Sequence, residues 1–350
     1  MTSIIGWDLG GTNLKLARIE AGRVAQVTQI PCPIKQERGK FDAALGEALP
    51  LCPTDARHAV TMTGELSDVF TDRAEGIAYL VGMMRRATGG GSLFYAGRAG
   101  FLDAGTAVKR SLDVASANWH ASATLVAETC PEGLFLDAGT TTTDLIPLKS
   151  GTPAPRGYTD AERLAEGELI YAGVVRSPVM AIAREVPFKG RMQRIAAERF
   201  ATMADVWRLV GELAPDADPY PTPDLRGKSA EESAARLARM LGRDAGDAEF
   251  ADWVAVAGYL AGCQLADIET AAQALILREG LDAEAPVIGA GCGRFMAKRL
   301  AARLGRNYRD FGDMINSDQE KREMAARAAP AVAVALLAER HFDLCARDPA

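Results

Sequence analysis

Short apolar runs that end in an aspartate and a glycine turn open both halves of the chain. Residues 3–8 (Ser-Ile-Ile-Gly-Trp-Asp) have the pattern of a buried strand closed by a carboxylate. Gly10-Gly11-Thr12-Asn13 is turn chemistry, and residues 14–19 resume as an alternating strand. Ala21-Gly22 makes a second turn into a strand over 24–30. Three strands joined by two tight turns predict an antiparallel meander, whereas the glycine loop of a dinucleotide site opens a helix. The pattern then predicts a helix over 40–49, a strand over 58–62, a helix over 67–88 and a strand over 92–96.

The same design returns at 133–148. Gly133-Leu-Phe-Leu-Asp137 reads as a strand ending in aspartate, Ala138 to Asp144 as a Gly-Thr turn, and 145–148 as the next strand. From 190 to 345 the chain reads as mostly helical, with a Pro-rich loop at 215–223. One interruption, Pro286-Val-Ile-Gly289-Ala-Gly291-Cys-Gly293, predicts a short strand and glycine turn feeding a helix at 294–304. The last helix, predicted over 318–341, is alanine-rich and suited to close packing. The expected domains are 1–132 and 133–350.

Composition narrows the class. At roughly 150 residues per domain, 350 residues suggest about two. With 48% hydrophobic and 25% charged residues, global disorder is excluded. A net charge of −6 argues against a nucleic-acid binder, which needs a basic footprint. The six cysteines (Cys32, Cys52, Cys130, Cys263, Cys292, Cys345) form no CxxC pair, which predicts reduced thiols rather than a zinc site. No secretory signal or spanning segment is read, so a cytoplasmic protein with no membrane partner is expected.

The glycine turns carry the candidate chemistry. A tight turn between strands leaves backbone N–H groups in one concavity that an anion can approach closely. Gly10, Gly11, Thr12 and Asn13 in the first turn, and Gly139, Thr140, Thr141 and Thr142 in the second, are the expected phosphate-binding residues. Asp8 and Asp137 would repel a phosphate unless a cation lay between, so both are expected ligands of Mg²⁺. Lys15 adds a point charge within reach of a phosphate. Gly289 and Gly291 offer amides at a helix N-terminus, or else serve close strand–helix packing.

Asp8-Leu-Gly10-Gly11-Thr12-Asn13-Leu-Lys15 resembles the phosphate-1 motif of the actin, sugar-kinase and Hsp70 (ASKHA) superfamily. Asp137-Ala-Gly139-Thr140-Thr141-Thr142 resembles its phosphate-2 motif, and Ile288-Gly289-Ala-Gly291-Cys-Gly293 its adenosine motif. The resemblance implies an α/β fold of two ribonuclease-H-like domains with an interdomain cleft. Three further stretches, 60–68, 116–121 and 167–174, resemble a narrower family. These are the hydantoinase/oxoprolinase-like proteins linked to tetrahydromethanopterin one-carbon transfer.

That narrower resemblance implies the ether-forming step of methanofuran or methylofuran biosynthesis. A furanmethyl diphosphate condenses with the phenol of γ-glutamyltyramine or a tyrosine derivative, and diphosphate leaves. The partners would be that diphosphate and a phenolic acceptor, with a homodimer left open. The alternative is a sugar-kinase-like phosphotransferase with ATP or ADP as cofactor.

Glu65, after a strand end, is the expected base, or else belongs to a helix start capped by Thr63 or Ser67. Asn118, Trp119 and His120 either line a ring pocket or form a buried Trp beside a satisfied His. Glu168 is expected to read a substrate amine, and shares a face with Tyr171 if that segment is helical, with a plain surface face as the other reading. Asp144 either supports the second loop or merely begins a strand.

Overall fold

The structure is a computed structural model that describes residues 3–34 and 37–347. The chain divides into two compact units. One comprises Met1–Glu132, Leu148–Glu162 and Asp310–Ala350; the other comprises Gly133–Pro147 and Arg163–Arg309.

In the first unit the expected meander forms as β1 (Ile4–Leu9), β2 (Asn13–Glu20) and β3 (Arg23–Pro31). It is extended by β4 (Arg57–Met62), β5 (Ser92–Tyr95) and β6 (Phe101–Leu102) in the order β3-β2-β1-β4-β5-β6. β1 pairs antiparallel with β2 and parallel with β4, and β4 is parallel to β5. This is the ribonuclease-H-like order that the superfamily resemblance implied. Directly paired residues share a sheet face, so Ile5, Trp7, Leu9, Leu14 and Leu16 lie together. They are buried with Phe41 and Leu45 of the helix Gly39–Ala48 and Leu80 of the helix Arg73–Ala87.

On the opposite face Gly6 pairs with Ala17 and Ala59. The helix Ala329–Arg347 approaches so closely there that a Cβ on Gly6 would sit 2.0 Å from the Ala331 carbonyl oxygen. Alanines 331, 333, 335 and 338 are fully buried in this contact region. The described residues from 310 onward, expected with the second half, therefore belong to the first unit, because small side chains of the Ala329–Arg347 helix meet this face. The single helix expected over 318–341 is two helices, Gln319–Arg327 and Ala329–Arg347, interrupted at Ala328. The helix expected over 67–88 begins only at Arg73, because extended Asp72 caps it by accepting from the Glu75 N–H at 2.8 Å.

In the second unit β7 (Gly133–Ala138) is flanked by β8 (Thr143–Lys149); the last two residues of β8 belong to the first unit and pair there with β9 (Thr152–Pro153). β10 (Leu169–Ile170) lies beyond β8, and β11 (Glu185–Phe188) with β12 (Arg191–Arg194) forms a separate hairpin. On the other side of β7 comes β13 (Val287–Ala290), in parallel, and then β14 (Tyr308–Asp310). Each unit thus places the next strand on one side of its Asp-ending strand and a parallel strand on the other. Leu134, Leu136 and Val287 pack with Trp207, Trp253, Leu260 and Leu300, largely from the helices Phe250–Glu279 and Phe295–Leu304. No helix of the described residues is long and apolar enough to cross a membrane.

Candidate functional site

In the first unit the β1–β2 turn is closed by the Gly10 N–H, which donates to the Asn13 carbonyl at 3.1 Å. Asp8 stands opposite Lys15 on β2 and Thr61 on β4, so all three share the face that carries Gly6. Asn13, two residues before Lys15, lies on that face as well. Lys15 Nζ is 3.6 Å from Asp8 Oδ2. Burial pushes the Asp8 carboxyl up from the ordinary carboxylate range, and Lys15 opposes that shift. Asp8 Oδ1, Asn13 Oδ1, Thr61 Oγ1 and Ser67 Oγ are all buried with no hydrogen-bond partner. Four such oxygens in one short region run against the rule that buried polar atoms are paired, which is how a binding site looks without its ligand. Thr61 and Ser67 were not among the expected site residues, although both lie in the 60–68 stretch and Ser67 was read as a cap candidate. Thr61 sits in an apolar strand run and Ser67 in a stretch read as helix.

Glu65 lies just beyond β4 in the single 3-10 turn Gly64–Leu66. Thr63, which precedes the turn, makes no side-chain cap, so the capping account of Glu65 does not hold. The side chain is only 1% exposed. Oε1 accepts from the Ser116 N–H at 2.9 Å and from Ser116 Oγ at 3.1 Å, while Oε2 is buried without a partner. Burial pushes the carboxyl to about 7; a hydrogen bond from its own backbone N–H and the two from Ser116 pull it down, and the nearby Asp160 charge pushes it up. Ser116 holds a left-handed backbone (φ 50°), unusual for a residue other than glycine. Asp160 joins from outside any recognised motif. Its Oδ2 lies 3.4 Å from Ser116 Oγ and accepts from Arg73 at 3.1 Å.

The helix Asn118–Thr129 begins two residues later. Asn118 is half-buried, whereas Trp119 is 2% exposed, with its ring against His120 and Tyr158. His120 Nδ1 is 2.9 Å from the Tyr95 hydroxyl. The indole is therefore a wall of this aromatic cluster rather than an open stacking face, and Arg98 covers Tyr158 from outside at 3.8 Å.

In the second unit the Gly139 N–H donates to the Thr142 carbonyl at 2.8 Å, closing a turn that matches the one at Gly10. Thr140, Thr141 and Thr142 are half-buried, and Thr140 Oγ1 is 3.4 Å from Thr141 Oγ1. Ala290 pairs with Asp137 in the sheet. Gly291 (φ 86°) comes so near that a Cβ there would sit 2.2 Å from the Ala138 carbonyl and 2.5 Å from Asp137 Oδ1. Gly289 packs against Ala297 and Tyr308. The third glycine turn therefore buttresses the Asp137 loop.

A buried chain of hydrogen bonds supports the loop from the other side. The Trp207 indole donates to Gln264 Oε1 at 2.7 Å, Gln264 Nε2 to the Gly173 carbonyl at 3.1 Å, and the Gly173 N–H to Ser177 Oγ at 2.8 Å. Val174 in turn donates to the Gly139 carbonyl at 3.1 Å. Gln264 was silent in the sequence, one polar residue on a long helix.

Glu168 does not share a helix face with Tyr171, because the intervening Leu169–Ile170 is strand β10, paired with Asp144 and Thr143. Glu168 is fully buried and ion-paired with Arg278, while Tyr171 is exposed. Asp144 lies in β8 and holds the buried Arg163 guanidinium at 2.8 Å. Both carboxylates thus meet arginines of their own unit.

Comparison with known proteins shows the family. Residues 57–340 match the family described as hydantoinase/oxoprolinase. The (4-{4-[2-(gamma-L-glutamylamino)ethyl]phenoxymethyl}furan-2-yl)methanamine synthase of Methanocaldococcus jannaschii is 31% identical over 243 residues, covering 69% of this chain and 72% of that protein. The synthase of the same name from Methanococcus vannielii is 31% identical over 111 residues, 32% of this chain and 50% of that one. Among solved structures, nucleotide-free acetone carboxylase shares the fold with a TM-score of 0.56 at 10% identity, over 87% of this chain and 67% of its own. The chain is an enzyme and belongs to the hydantoinase/oxoprolinase family.

Proposed function

We propose that the chain is a transferase of methanofuran or methylofuran biosynthesis that forms an ether. On this reading it joins an (aminomethyl)furan-methyl diphosphate to the phenol oxygen of γ-glutamyltyramine or a tyrosine derivative and releases diphosphate. The name of the archaeal relative supports it, since a phenoxymethyl-furan is the ether of a phenol oxygen with a furan-bound methylene. In the reaction the carbon–oxygen bond to diphosphate breaks with its electron pair leaving on diphosphate. The phenol oxygen bonds to the exposed carbon, and the phenolic proton goes to a base.

One observation carries the assignment to these residues: Glu65 holds one carboxylate oxygen fixed by Ser116 and the other buried and unpartnered, with its proton affinity raised to about 7. A base poised near neutrality, dry and held in one orientation, suits removal of a phenolic proton as the carbon–oxygen bond forms. Water exclusion matters equally, because water would compete with phenol for the furanmethyl carbon.

The Asp8 turn suits the leaving group. Lys15 and the turn amides supply positive charge to a departing diphosphate. The unpartnered oxygens of Asp8, Asn13 and Thr61 form a hard donor set that fits Mg²⁺. Asp8 would hold that ion, which when bound neutralises diphosphate charge. Asp137, the second expected ligand, ends a strand before a turn of the same design, and on this reading it would hold a cation beside the Gly139–Thr142 phosphate loop.

The test is incubation with Mg²⁺, the furanmethyl diphosphate and a phenolic acceptor without ATP. Ether and diphosphate should appear in equal amounts. Product only in the presence of ATP would replace this reading with a phosphotransferase or ligase.

A further inference from the structure

We propose that Ser116 and Asp160 form the path by which Glu65 discharges the proton it collects in each turnover, with Ser116 as the positioning residue. The inference rests on the reading of Glu65 as the base.

A buried base must return its proton before the next cycle, and Glu65 is sealed from water. The helix Arg73–Ala87 presses Gly76 onto it so tightly that a Cβ there would lie 2.7 Å from Glu65 Cα. With Oε2 left for the substrate, Oε1 is the remaining outlet. It is 3.1 Å from Ser116 Oγ, which is itself 3.4 Å from Asp160 Oδ2. One hydroxyl thus lies between two carboxyl groups but carries a single proton, so it donates to one or the other and not to both.

The Ser116 N–H meets the carboxyl oxygen of Glu65 that faces it whichever way the hydroxyl points. The proton taken on Oε2 is brought to Ser116 by a half-turn of the carboxyl about its Cγ–Cδ bond, and protonated Glu65 then gives it to Ser116 Oγ as the hydroxyl's own proton moves to the Asp160 carboxylate. Asp160 then releases it to water, and the hydroxyl rotates back. The outer end reaches water beside Arg73: the Asp160 side chain is 10% exposed and the Arg73 side chain that pairs with it 37%. Arg73 is also the charged group that this helix brings to the cluster, opposite Asp160 at 3.1 Å. The left-handed backbone at Ser116 is what aims its N–H and Oγ at the same carboxylate oxygen.

The experiment measures turnover and Glu65 ionisation together in the full-length chain. Asp160→Asn should lower kcat tenfold or more in dilute buffer while leaving KM unchanged. A small proton acceptor such as imidazole should restore kcat, and the solvent deuterium effect on kcat should grow. Ser116→Ala should behave alike, with Ser116→Gly as the variant that tolerates the left-handed backbone if alanine fails to fold.

Carbon-13 NMR titration of the labelled Glu65 carboxyl needs no turnover. Asp160→Asn should move its midpoint down by removing a facing negative charge, and Ser116→Ala should move it up by removing a donor. Midpoints unchanged in both variants, or full kcat with no response to buffer while Glu65→Gln is inactive, would overturn the path. An active Glu65→Gln would instead overturn the base reading, and the path with it.

Discussion

Asp8 and Lys15 face each other across the β1–β2 pair with Nζ 3.6 Å from Oδ2, while Asp8 Oδ1 is buried with no partner at all. The lysine steadies one oxygen of the carboxylate and leaves the other for something the chain itself does not supply. Asp8→Asn should therefore lower turnover by about 100-fold or more, and should raise the Mg²⁺ concentration needed for half-maximal rate. Chelation of Mg²⁺ should abolish turnover of the parent. Full activity of Asp8→Asn without added metal would remove the metal reading from this turn.

Glu65 should govern both activity and stability against pH. Its carboxyl is raised from 4.5 to about 7. The folded state therefore binds its proton more tightly than the unfolded chain does. That contribution to stability is fully present below about pH 4.5 and is lost as pH rises through 7. At about 1.4 kcal/mol for each tenfold change in proton affinity, this rise sets an upper bound of about 3–4 kcal/mol. Glu65→Gln should consequently be the more stable protein at pH 8 and close to the parent at pH 4.5, as measured by urea unfolding. It should also be inactive, while parental turnover rises with pH through about 7.

Gly291 is the sharpest steric test in the second unit. Its positive φ and a Cβ position 2.2 Å from the Ala138 carbonyl leave no room for any side chain. Gly291→Ala should lower unfolding free energy by at least about 1–3 kcal/mol through backbone strain alone, and should weaken diphosphate binding measured by calorimetry. Gly246→Ala, where a Cβ would meet open space, is the control expected to change neither.

Gln264 should matter more than its single place on a helix suggests. Gln264→Leu leaves the Trp207 indole N–H and the Gly173 carbonyl buried without partners, at about 1–3 kcal/mol each. Trp207→Phe made in the same chain should recover part of that loss. A double-mutant cycle by urea unfolding reads the coupling directly, and strict additivity would show that the network does not act as a unit.

Much of this was legible in sequence for a physical reason. Strand periodicity and turn chemistry are local, so the meander, Asp8, the glycine turns and the short strand before Gly291 could be read from neighbours alone. What escaped depended on contacts distant along the chain. Ser116 reaches Glu65 across 51 positions, Asp160 joins Ser116 across 44, and Gln264 holds Gly173 across 91. The Ala329–Arg347 helix was recognised as close-packing, but only Gly6 shows which sheet face receives it. Glu168 was misjudged for the opposite reason. A local i,i+3 rule was applied where strand pairing with Asp144 decided the geometry.

The central claim is that a phenol oxygen displaces diphosphate from a furanmethyl carbon. The most direct test uses an acceptor labelled with oxygen-18 at the phenol, and mass spectrometry of both products. The account predicts that the label is retained wholly in the ether and that the released diphosphate carries none. Label in diphosphate, or a phosphorylated phenol in place of the ether, would contradict it.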